Sequence, residues 1–73
     1  MPRYGYPSLE KAIQAAQEYM RATFGAEVHF EPFPPFDDRS FRVLDSKGHH
    51  HESFGAFQGE DGKWGWQEAS PAD

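Results

Sequence analysis

Between residues 41 and 66 the chain writes two tight reversals into strand-like sequence, and few folds accept such a run. Phe41 and Val43 alternate with Arg42 before Asp45-Ser46-Lys47-Gly48 turns the chain. His49 to Gln58 runs back, Gly59-Glu60-Asp61-Gly62 turns it again, and Lys63-Trp64-Gly65-Trp66 closes a meander. An Asp-Gly pair between strand-like residues is a strong local hairpin signal, because glycine takes the positive φ that tight turns demand. Successive strand side chains point to opposite faces, so Phe41 and Val43 are expected on a buried face, with Arg42 and Leu44 on the other. Phe54 and Ala56 belong to the buried face of the next strand, and a bulge at Gly55 is expected to turn Phe57 inward as well. Trp64 and Trp66 share one face of the last strand, and that face is expected to be the covered one.

Such a sheet needs a cover, and residues 8–24 supply it. Leu9, Ile13, Ala16, Met20 and Phe24 recur at helical spacing, with Ala12, Tyr19 and Thr23 widening the stripe. Ser8 is a good N-cap, Glu10 suits the positive end of the helix dipole, and Gly25 is a natural stop. The result is an amphipathic helix of about four turns. After it, Ala26, Val28 and Phe30 alternate with Glu27, His29 and Glu31 as a half-buried first strand. Pro32, Pro34 and Pro35 then interrupt any ladder, which makes residues 32–39 a loop that carries Phe33 and Phe36. The expected fold is therefore α+β: one N-terminal amphipathic helix packed on a four-stranded antiparallel β-meander, in the order α-β-β-β-β. Residues 1–73 form one domain, with 1–7 an extended lead-in and 69–73 a frayed polar tail. Whether Tyr4 and Tyr6 lie back on the core is open at this level.

A chain of 73 residues hides only about 60% of its unfolded surface and has no cysteine to add a disulfide or a thiolate metal site. No apolar run approaches a membrane span and no secretory leader is visible, so a cytoplasmic location is expected. The formal charge of −5 is unevenly spread. Residues 27–73 hold ten acids against four bases, while residues 1–26 are close to neutral. That balance disfavours gripping a phosphate backbone and suits a basic surface on another protein. The chain also carries twelve aromatic residues, more than so small a core readily seats. Tyr4, Tyr6, Phe33 and Phe36 have no assigned inward position, and rings of this kind supply binding area at low entropy cost. The expected partner-binding set is therefore Glu27, Glu31, Phe33, Phe36, Asp37, Asp38, Glu60 and Asp61. The expected partner is a larger protein with a basic surface, without nucleic acid, membrane or cofactor.

Two other readings remain at this level. His29, His49 and His51 could grip a divalent metal if the first and third strands are neighbours. The chain could instead self-associate through the free sheet face, where Leu44 would be exposed. Catalysis has little support. No serine stands in a nucleophile context, and pairs such as Glu27 with Glu31 suit an ordinary polar face, so no enzyme is expected.

In gross style the chain is small, acidic, cysteine-free and built of one helix on an antiparallel meander. In this it is similar to inhibitors carried by phages and mobile elements, anti-CRISPR proteins among them. The similarity lies in shape and charge and transfers no individual residue. What it implies is an inhibitor that occupies a basic nucleic-acid-binding surface of a larger target.

Overall fold

The computed structural model describes residues 3–34 and 38–69. One helix covers one face of a five-stranded antiparallel sheet, so the chain is an α+β protein. In chain order the elements are β1 (Tyr4–Tyr6), α1 (Leu9–Phe24), β2 (His29–Pro32), β3 (Ser40–Leu44), β4 (His50–Gln58) and β5 (Trp64–Ala69). Across the sheet the strands stand β1-β5-β4-β3-β2. Strands β2 to β5 form the expected meander, and β1 joins it at the far edge beside β5.

The helix forms where its stripe and its caps agree. Ser8 accepts from the Lys11 amide at 3.2 Å, and Glu10 sits in the first turn and Arg21 in the last. At the other end the Gly25 amide donates to the Arg21 carbonyl at 2.9 Å, at a φ of 112° that disfavours any side chain. Ala12, Ala15, Ala16 and Met20 are buried against the sheet, and α1 lies chiefly over β5, β4 and β1. Beneath it Val43, Phe54, Ala56 and Trp66 are buried, with Val28 from the approach to β2. Tyr19 tilts over Trp66, with ring centroids 5.3 Å apart, which fixes the helix across the last strand. Phe41 stacks on Phe54 and Phe30 meets it edge-on, both half-buried and packed against the core. The inward faces expected for Phe41, Val43, Phe54, Ala56 and Trp66 are thus the observed ones, while Trp64 is only half-buried.

Several boundaries and orientations differ from the sequence expectation. The lead-in contains β1: Tyr4 pairs with Gly65 and Tyr6 with Trp64, with the register slipping at Gly5. Gly5 holds φ at 101°, a conformation that costs glycine little, and the slip lets Tyr6 pack on the core while Tyr4 lies on the opposite face. The first meander strand begins at His29 rather than Ala26, because residues 26–27 are still turning out of the helix and Ala26 is exposed. The last strand runs on to Ala69, which pairs with Ser53, so the tail begins later than expected. No bulge falls at Gly55, which pairs in register with Ser40 and Gln67. The irregularity instead lies where Val43 pairs with Glu52 and Leu44 with His50, leaving His51 as the extra residue. Phe57 therefore keeps the strand alternation and points away from the helix, 38% exposed. Leu44 on that same outer face is half-buried rather than fully exposed.

Candidate functional site

The register gathers most of the acidic candidates at one end of the sheet. β3 starts at Ser40 opposite Gly55 of β4, so the β2–β3 connection and the β4–β5 turn lie side by side. The Arg39 guanidinium reaches across to the Trp64 ring, 5.7 Å from its centroid, and ties the two together. Asp38, Glu60 and Asp61 are exposed at this end, and Phe33 is half-buried where the β2–β3 connection begins. Phe36 and Asp37 lie outside the described residues. Glu31 stands on the outer face of β2, one strand from Arg42. Glu27 falls at the opposite end, between α1 and β2, and does not join the cluster.

Glu31, Asp38 and Asp61 have close cationic or hydrogen-bonding neighbours. Glu31 pairs with Arg42 at 3.6 Å, and the same guanidinium lies 4.5 Å from the Phe33 ring centroid. Asp38 pairs with Arg39 at 3.4 Å. Exposed pairs of this type are worth little in stability and are screened by salt, so they leave the end acidic without locking it. Asp61 is held more firmly. Its carboxylate accepts from the Tyr4 hydroxyl and, at 3.1 Å, from the Lys63 amide. The hydrogen bond from Tyr4 holds the Asp61 carboxyl below its usual range, and the same bond raises the Tyr4 phenol.

Sequence reasoning leaves Tyr4 without a place and turns Phe57 inward, so it does not bring the two together. Tyr4 and Phe57 lie side by side on the outer face, rings 15° from parallel with centroids 5.9 Å apart. Among the described residues they are the large hydrophobic side chains most exposed to solvent, at 42% and 38%. A Cβ on Gly65 would come within 2.8 Å of Tyr4 and 2.9 Å of Phe57, so the rings occupy room that only glycine leaves. The glycine opposite Phe57 was the available signal for this arrangement.

The histidines form a different structure from the one their spacing suggested. Strand β3 stands between β2 and β4, so the first and third meander strands are not neighbours. His29 therefore cannot join His49 and His51. The Nδ1 of His49 and the Nε2 of His51 approach one carboxylate oxygen of Asp45, at 3.4 and 3.2 Å. His51 also stacks on Phe24 at the end of α1, with centroids 5.4 Å apart. His50 turns to the Ser53 hydroxyl at 2.9 Å. Among the described residues no three His, Asp or Glu side chains are arranged to hold a metal ion. Asp45 instead organises the β3–β4 turn, accepting from the amides of Lys47 and His49 at 2.9 Å each. The His49 amide is the main reason its carboxyl titrates at about 2, below the ordinary 3.8.

Among the described residues no helix is long and apolar enough to cross a membrane. Comparison with protein-family models, with curated proteins and with solved structures returns no match to this chain.

Proposed function

We propose that this chain is a non-enzymatic protein-binding module whose loop end docks on a basic surface of a larger protein. The observation that carries the reading is the convergence of Asp38, Glu60 and Asp61 with Phe33 and Trp64 at one end of the sheet. Acids at a rim steer a cationic partner toward contact, and half-buried rings beside them supply apolar area once it arrives. Glu31 extends the acidic rim along β2. An inhibitor in the manner of the phage and mobile-element inhibitors, anti-CRISPR proteins among them, fits this surface chemistry. Such a protein would cover a nucleic-acid-binding surface with carboxylates in place of phosphates. Partners of that kind are intracellular, and with a chain free of cysteine the reading extends to a cytoplasmic location.

The test is kinetic. A partner captured from host lysate should associate with the wild-type chain quickly at low salt and more slowly as salt rises. Replacing both Asp38 and Glu60 by lysine should slow association by about tenfold at low ionic strength while changing dissociation less. An association rate indifferent to both salt and the double reversal would exclude electrostatic docking through this end.

A further inference from the structure

The outer face of the sheet carries a two-ring platform at the loop end. Tyr4 on β1 and Phe57 on β4 each pair across to Gly65 on β5, from its two sides. Their rings meet above that glycine, close to parallel and stacked. Gly59 makes room under the outer part of Tyr4, where a side chain on residue 59 would collide with the phenol. Asp61 then clasps the hydroxyl, so the ring is held flat across the hairpin by a bond at its tip and glycines below it. Rings whose role was only to seal an edge strand would be covered, whereas these two keep more than a third of their surface in water.

The rim of this platform is acidic. Asp61 Oδ1 accepts from the Tyr4 hydroxyl and from the Lys63 amide, which holds the carboxylate at the edge of the rings. Glu60 stands next to it in the turn, and Lys63 is the one base there. Arg3, though adjacent to Tyr4 in the chain, lies on the other face of the sheet, over Tyr19 and Trp66 and paired with Glu68. The Arg3 guanidinium therefore does not cover the platform.

We propose that Tyr4 and Phe57, with Asp61 and Glu60 at their rim, form a seat for an arginine side chain presented by the basic partner. This rests on the docking reading above and names the side chains that meet the partner's cation. A guanidinium is planar and weakly hydrated, so it stacks on a ring face while its N–H groups stay in plane to reach a carboxylate. A lysine ammonium is a compact, strongly hydrated charge and gains less from such a surface.

The test uses the intact chain with tetra-arginine amide, tetra-lysine amide and tetraglycine amide as probes, followed by NMR at low salt. The arginine peptide should shift the Tyr4 and Phe57 ring protons, and its own side-chain methylenes should move upfield from the ring current. It should bind several-fold more tightly than the lysine peptide. Phe57→Ser should weaken the arginine peptide by about three- to fivefold and leave the lysine peptide nearly unchanged. Phe57→Leu, which keeps apolar bulk but loses the ring face, guards against a folding artefact and should give the same pattern. Equal binding of the two cationic peptides, with both Phe57 variants behaving as wild type, would overturn the platform and leave acidic docking standing. Failure of both cationic peptides to bind more tightly than tetraglycine amide would overturn the docking reading and the seat together.

Discussion

Gly65→Ala is the perturbation whose cost the geometry specifies most closely. The added Cβ would sit 2.8 Å from Tyr4 Cδ1, 2.9 Å from Phe57 Cζ and 2.6 Å from the Arg3 carbonyl oxygen. The two rings are exposed and can swing toward solvent at modest cost. The carbonyl cannot move so freely, because it accepts the Trp66 amide at 2.9 Å and leads directly into the edge strand. Relieving the clash therefore means lifting β1 from β5. Overpacking of this kind costs about 1–3 kcal/mol, and a lost backbone hydrogen bond adds about 1. Alanine's smaller freedom in the unfolded chain returns roughly 0.5–1 kcal/mol. The net expectation is a loss of about 2 kcal/mol, or a fall in Tm of roughly 10 °C for a domain of this size. Gly55→Ala is the control. Its Cβ would meet only the Ser40 hydroxyl at 3.3 Å and the Arg39 carbonyl at 3.8 Å, so its stability should stay within about 0.5 kcal/mol of wild type. Urea unfolding followed by the fluorescence of Trp64 and Trp66 gives both values, and hydrogen exchange at the Trp66 amide reports whether β1 has lifted. A Gly65→Ala chain as stable as wild type, with that amide still protected, would refute the reasoning, as would equal losses at the two glycines.

Two further outcomes follow from the core and from the β3–β4 turn. Met20 is fully buried between α1 and the sheet, so Met20→Ala should cost about 2–5 kcal/mol in the same urea assay; a loss below 1 would mean that the helix is not seated there. Asp45 is depressed to about 2 from an ordinary 3.8, so it favours the folded state above about pH 4, and that contribution drains away as pH falls toward 2. Asp45→Asn should therefore flatten the acid limb of the stability curve, as measured by urea midpoints between pH 5 and 2; a limb of unchanged slope would detach the turn from acid stability.

What was legible in the sequence was whatever its local spacing could report. Residues 8–24 carry both a helical stripe and their own caps, and the helix forms within a residue of those bounds. The two turns carry their own glycines, so β3, β4 and β5 could be found without knowing their partners. The histidine reading failed for a topological reason, since spacing along one strand says nothing of which strand stands beside it. The candidate site was legible in residue type but not in grouping. Asp38 is far in the chain from Glu60 and Asp61 until the β3–β4 register brings their loops together, and the same topology sends Glu27 to the other end.

The two remaining misses have one cause. Strand β1 has three residues, a central glycine and flanking prolines, so it offers no periodicity, and its partner lies some sixty residues away. Hydrophobicity turns Phe57 inward, because a large apolar side chain on a strand is usually covered, and that orientation requires a bulge at Gly55. Strict alternation already pointed Phe57 outward, opposite Gly65, and a phenylalanine facing a glycine across a ladder leaves space for a second ring. Tyr4 fills that space, and in doing so it carries the lead-in onto the sheet as a fifth strand. Where an outward aromatic stands opposite a glycine in a small meander, the period of two therefore outweighs hydrophobicity. The unfilled slot is then the signal that some distant part of the chain, or of a partner, is built to lie in it.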